Sequence, residues 1–159
     1  MSKSIWVVLQ HRDGKLHRMS REAIAAGQQL AAAVGGSVSA VLLAGDDALA
    51  AEASSFDLEA LWLAADPTLA DYTPGAYVSA LAPAIRSAAP DFVVFPHSYQ
   101  SVDYVPRLSQ EVDAALVPEA LSFAMSDDGL VWKRPILGGK LQARVRVRGE
   151  GTVLVTVQS

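Results

Sequence analysis

Four short apolar runs, at residues 5–9, 38–43, 60–63 and 92–95, are separated by segments with helical periodicity. Runs of this length that are apolar but for Ser39 suit strands buried on both faces, as in a parallel sheet. Each intervening segment carries helix signals of its own. Ser20 is a candidate cap with Glu22 in the first turn; Ile24, Gly27, Leu30, Ala31 and Val34 form one stripe, and Gly35-Gly36 ends it. Asp46 or Asp47 caps a short helix to about residue 53. Thr73 before Pro74 opens another, along Tyr77, Leu81, Ala84, Ile85 and Ala88, with Pro83 bending it. Val105, Leu108 and Val112 mark a fourth, with Pro106 in its first turns. The repeated β-α order predicts an α/β fold, a mostly parallel sheet with helices on both faces.

After Ala114 the texture changes. Residues 121–125, 130–132 and 152–157 read as strands, and Arg144, Arg146 and Arg148 alternate with Val145 and Val147. The turns at Asp127-Asp128-Gly129 and Gly149-Glu150-Gly151 predict hairpins, so the tail is expected to be a β-rich extension that adds to a sheet edge or covers one. One α/β domain over residues 1–159 is the expectation. Trp6, Trp62 and Trp132 lie in or beside strands and are expected in the core.

Composition removes several function classes. The chain of 159 residues has no cysteine, so disulfides, thiolate nucleophiles and cysteine-held clusters are excluded. Three scattered histidines, at 11, 17 and 97, argue against a histidine-rich metal site. Thirteen basic against 17 acidic residues give a net charge of −4, which argues against nucleic acid as partner. No apolar run approaches the roughly 18 residues of a membrane span, and the start lacks a secretory pattern.

An open α/β sheet binds ligands at the carboxyl ends of its strands, and phosphate there needs glycine-rich turns. Between Gly75 and Gly129 there is no glycine. The loop after the fourth strand is Pro96-His97-Ser98-Tyr99-Gln100-Ser101, in which proline removes a donor and tyrosine blocks close approach. The reading favoured is a domain without a nucleotide; the alternative is a small nucleotide-binding or universal-stress-like module of the same fold, its ligand held by Ser98, Gln100 and Arg107. His97 with Asp103 is a weak candidate for hydrolytic chemistry. The more prominent feature is basic: Lys133, Arg134, Lys140, Arg144, Arg146 and Arg148 crowd one segment. With Arg107, the last five of these form the candidate docking face for an acidic partner. Period-two spacing puts Arg144, Arg146 and Arg148 on one face of a strand.

Several segments together resemble the α subunit of electron transfer flavoproteins. They are residues 65–74 (ADPTLADYTP) with Tyr77 and Leu81, the opening strand with His11, Gly14 and Leu16, residues 90–95 (PDFVVF), residues 103–108 (DYVPRL), and residues 133–140 (KRPILGGK) with Ala143 and residues 145–147. The resemblance covers the first of that subunit's two domains. It implies a Rossmann-like, adenine-nucleotide-hydrolase-like fold that carries no nucleotide and no catalytic residues of its own. It further implies a β subunit as partner and an FAD site in a second domain outside this chain. The complete complex would pass electrons from dehydrogenases, such as acyl-CoA dehydrogenases, to a quinone oxidoreductase and the respiratory chain. The expected compartment is the bacterial cytoplasm, or the mitochondrial matrix in a eukaryote. The family pattern has glycine where this chain has Pro96 and Ser101.

Overall fold

The chain alternates strands and helices through its first two-thirds: β1 (Lys3–Leu9), the hairpin β2 (His11–Arg12) and β3 (Lys15–Leu16), α1 (Arg18–Val34), β4 (Gly36–Leu43), α2 (Asp47–Ala53), β5 (Ala60–Ala64), a 3-10 turn at Pro67–Leu69, α3 (Pro74–Ala88), β6 (Phe92–Pro96) and α4 (Tyr99–Glu111). Five strands follow: β7 (Ala115–Ala120), β8 (Ser122–Ser126), β9 (Gly129–Ile136), β10 (Leu141–Val145) and β11 (Val153–Val157). The computed structural model describes residues 2–43 and 46–158.

Six strands form one sheet in the order β5-β4-β1-β6-β11-β7, and every neighbouring pair runs parallel. The α/β reading therefore holds. β8, β9 and β10 make a separate antiparallel sheet. One face of the main sheet is packed by α1 and α2, with Ile24, Leu30 and Leu49 against Ile5, Val7 and Leu42. At the far end of that face Trp132 of β9 joins Val117, Val153 and Val155, so the antiparallel sheet takes the place of a third helix. The opposite face is packed by α3 and α4, with Leu81, Ile85, Tyr104 and Leu108 on Trp6, Val93, Phe95 and Leu154. Each such fully buried side chain contributes about 1.5–3 kcal/mol.

Close approach explains one glycine. A Cβ on Gly27 would stand 2.6 Å from Val7 Cγ2, so α1 lies against β1 only because position 27 has no side chain. Gly35 ends α1 in the left-handed conformation, as expected, while Asp46 and Thr73 cap α2 and α3.

Several local expectations need correction. α1 starts earlier than its Ser20 signal, because His17 Nδ1 accepts from the Met19 N–H and takes the cap position. Ser20 is buried inside the helix instead. α4 starts at Tyr99 with Ser98 as its cap, which puts Pro106 in mid-helix rather than in the first turns. Trp6 and Trp132 are core, but Trp62 is 56% exposed because β5 is an edge strand that no helix overlaps fully. The tail is hairpins only in part: β8–β9 turns at Asp127-Asp128 as expected and β9–β10 is a second hairpin, but the turn at Gly149-Glu150-Gly151 does not pair the strands on either side of it. β11 returns from the antiparallel sheet and slots, parallel, between β6 and β7. Arg146 and Arg148 lie beyond the end of β10, yet the in-out alternation persists, since Val145 and Val147 pack on the core.

Candidate functional site

The chain leaves β1 towards β4 and β5 on one side, then comes back to place β6 on the other. The carboxyl ends of β1 and β6 are therefore the switch point, where open α/β sheets hold ligands. A cleft of about 610 Å³ lies there, lined by Gln10, Arg12, His17, His97, Ser98 and Gln100 together with Met19, Tyr99 and Val102.

Hydroxyl groups lock its floor. The Gln10 N–H donates to Ser20 Oγ at 2.7 Å, and the Ser20 hydroxyl donates back to the Gln10 carbonyl at 2.8 Å. The Ser98 hydroxyl donates to Gln10 Oε1 at 2.5 Å while its oxygen caps the Ser101 N–H at the start of α4. The His97 N–H donates to the Val157 carbonyl, and its Nδ1 meets Thr156 Oγ1 at 3.0 Å. Thr156 Oγ1 also accepts from the N–H of Glu119, whose backbone is left-handed at φ 55° where β7 slips register against β11.

Ser98 and Gln100 thus share the cleft, whereas Arg107 is exposed farther along α4 and does not line it. Asp103 accepts from the Tyr72 hydroxyl at 2.6 Å, and His97 is engaged by Thr156, so the structure does not join His97 and Asp103 into a dyad. Burial, followed by the Asp103 carboxylate, raises the Tyr72 hydroxyl well above its ordinary range. Tyr72 packs edge-on against Tyr77 at 4.9 Å, and Tyr77 meets Tyr104 at 5.3 Å. Nearby, Asp66 caps the 3-10 turn through the Thr68 N–H and hydroxyl, which together hold its carboxyl below the usual range.

The cleft does not fit the pyrophosphate of a dinucleotide. Ser98 is spent on Gln10 and on capping, and Pro96 has no N–H. A wholly exposed Tyr99 side chain rises from the first helical position, where close approach to backbone would be needed.

The antiparallel sheet is a different kind of surface. Arg144 on β10 stands directly opposite Lys133 on β9, both exposed. Like charges facing each other across strands oppose pairing and favour an anionic neighbour. Arg146 pairs with Asp128 at 3.2 Å; Arg148 and Lys140 are exposed. Arg134 has another task, since its Nε donates to the Pro118 carbonyl and ties β9 to β7. Arg107 sits on α4, across the main sheet from Trp132, so the structure does not bring it onto this face.

Sequence reasoning missed the apolar part of this surface. Ile136 and Leu141 are cross-strand partners, 37% and 56% exposed, and Leu137 in the turn between them is 69% exposed. Met125 on β8 is exposed as well. The available signal was leucine within a glycine turn, where an apolar side chain has nothing of its own chain to cover it.

This is an α/β domain whose switch-point loop lacks a phosphate cradle and whose antiparallel flap is basic and apolar. The electron transfer flavoprotein domain family model matches residues 5–159, and the chain belongs to that family. It is 30% identical over 154 residues to the electron transfer flavoprotein subunit alpha of Syntrophomonas wolfei, covering 96% of this chain and 47% of that one. It is 31% identical to the protein of the same name from Bacillus subtilis, covering 91% of this chain and 44% of the relative. Protein FixB of Azorhizobium caulinodans is 27% identical, over 98% of this chain and 44% of its own length. The chain spans about half the length of the curated relatives it matches. Among the described residues, no helix is long and apolar enough to cross a membrane.

Proposed function

We propose that the chain is the amino-terminal scaffold half of an electron transfer flavoprotein α subunit, and that its antiparallel sheet receives a β subunit. The observation that carries the docking reading is the pairing of Lys133 against Arg144 beside the uncovered Ile136, Leu137 and Leu141. A surface with an apolar centre and charged surroundings has the make-up of a protein interface. The apolar tip would supply most of the affinity, while Lys140, Arg144, Arg146 and Arg148 would steer an acidic partner into register. Arg107 and Arg134 stay outside this docking group, the first by position and the second by its bond to Pro118.

The flavin belongs, on this reading, to the other half of the α subunit. When bound, FAD supplies the electron-accepting and electron-donating group. This half contributes rigidity and a docking surface, with no catalytic residue of its own. Flavin dehydrogenases, acyl-CoA dehydrogenases among them, and a quinone oxidoreductase would meet the complete complex. The compartment proposed is the cytoplasm of a bacterium.

The test is the affinity for a β-type subunit, measured by calorimetry on the full α chain. Leu137→Asp with Leu141→Asp is expected to weaken the complex at least about thirtyfold. Arg144→Glu is expected to slow association several-fold and to flatten its salt dependence. Unchanged affinity in the double variant, with circular dichroism showing a native fold, would overturn the docking reading.

A further inference from the structure

The two edges of the main sheet are treated differently. At one, β7 carries Pro118 and the left-handed Glu119, its register slips against β11, and Arg134 reaches across from β9. Those are devices that keep a sheet edge from pairing with another chain. At the other edge, β5 pairs with β4 alone, in unbroken register from Ala60 to Ala64. It contains no charge, no proline and no bulge. Its Trp62 and Leu63 are 56% and 52% exposed, on opposite faces of the strand.

The strand reads Ala-Leu-Trp-Leu-Ala, the same in both directions. We propose that β5 is a self-pairing edge, on which a second copy of this chain adds its own β5 antiparallel about a two-fold axis through Trp62. Under that symmetry Leu61 stands opposite Leu63 and Ala60 opposite Ala64. Directly opposed residues share a face, so four leucines cluster on one side of the joined sheet and two tryptophans meet on the other. No charge meets its own image, which is the usual obstacle to isologous strand pairing. The indole side also has a seat. Trp62 borders a groove of about 280 Å³ floored by Trp6, Val41 and Leu43 and walled by Ala80 and Ala84 of α3. Small side chains on that wall leave room for a partner's ring. A strand of a different protein would match Trp62 as a donor and acceptor ladder, but only a copy of this chain repeats the size pattern in reverse.

The antiparallel flap and this edge are separate surfaces, so the proposal stands whether or not a β subunit docks on the flap. Sedimentation velocity on the full chain is expected to show a monomer–dimer equilibrium in the micromolar range. Trp62→Lys should weaken self-association at least about thirtyfold while leaving the circular dichroism native. Trp6 and Trp132 are buried, so a concentration-dependent blue shift in tryptophan emission reports the exposed Trp62. The chain has no cysteine, so Trp62→Cys offers one sulfur per copy. Opposed residues of an antiparallel pair lie about 4.5–5.5 Å apart at Cα, within disulfide reach. Mild oxidation should link that variant into dimers and leave an Ala51→Cys control monomeric. A wild-type chain that stays monomeric throughout, a dimer indifferent to Trp62→Lys, or loss of β-subunit binding in place of self-association would each overturn the proposal.

Discussion

The two parts of the chain reach the same sheet by different routes. From β1 to β6 each strand of the main sheet is followed by a helix before the next one is laid down, and each unit buries its own apolar stripe within a short span of sequence. From β7 onward the chain departs from that rule. It places β7 at the edge, spends three strands on a separate antiparallel sheet, and then threads β11 into the gap left between β6 and β7. The last strand in sequence is thus an interior one, flanked on both sides, with Leu154 and Val155 fully buried. The first route builds a stable frame from local contacts. The second locks that frame with distant ones, and leaves the intervening flap free to face a partner.

The comparison breaks most visibly at β11. Leu154 lies between β6 and β7 in the layer beneath α4, so Leu154→Asp would bury a carboxylate without a partner. A loss of at least about 4 kcal/mol is expected, enough to abolish the cooperative urea transition. The same change at Leu63, half exposed on β5, should cost no more than about 1 kcal/mol. Equal sensitivity at the two positions would show that β11 is not the keystone strand.

A smaller effect tests how the closing strand is pinned. Thr156→Val keeps the shape but removes the oxygen that accepts from Glu119 and meets His97. The Glu119 N–H is then left without its acceptor, at a cost of about 1–3 kcal/mol in urea denaturation. If the bulge in β7 is held by other contacts, the midpoint will hardly move.

The same contrast explains what could be read from the letters. β1, β4, β5 and β6 were legible because each apolar run is bounded by its own caps and turns, as at Gly35, Asp46 and Thr73. β11 was legible as a strand and not as an interior one. A hairpin edge should alternate in and out, whereas Val153, Leu154, Val155 and Thr156 are buried in succession, the pattern of a parallel interior strand. Nothing local names its neighbours, since register with β6 and β7 is decided by the gap those strands leave. Ser20 misled because a serine early in a helix looks like a cap whether it faces the helix end or, as here, the Gln10 backbone. The charges of the flap were legible one by one. Their division was not: Arg134 turns inward to Pro118, and the exposed leucines beside Arg144 become visible only once β9 and β10 are paired.

The smallest expected effect belongs to the local route and concerns acid. Glu52 on α2 accepts from the Leu16 N–H at 3.2 Å and from Arg21 at 2.7 Å, which joins the hairpin, α1 and α2 at one carboxylate. The Leu16 N–H, then Arg21, hold its carboxyl below the usual range. A carboxyl depressed in the folded state binds its proton more readily when unfolded. Its stabilising contribution is therefore whole above the unfolded value, near pH 4.3, and drains away as pH falls through the lower folded value. Partly exposed pairs are weak, so Glu52→Gln should lower the melting temperature at neutral pH by no more than about 3 °C. The gap between the two proteins should close as acid protonates Glu52 in the wild type. A gap that persists in acid would mean that the residue acts by packing, and that the frame is held by shape alone at this corner.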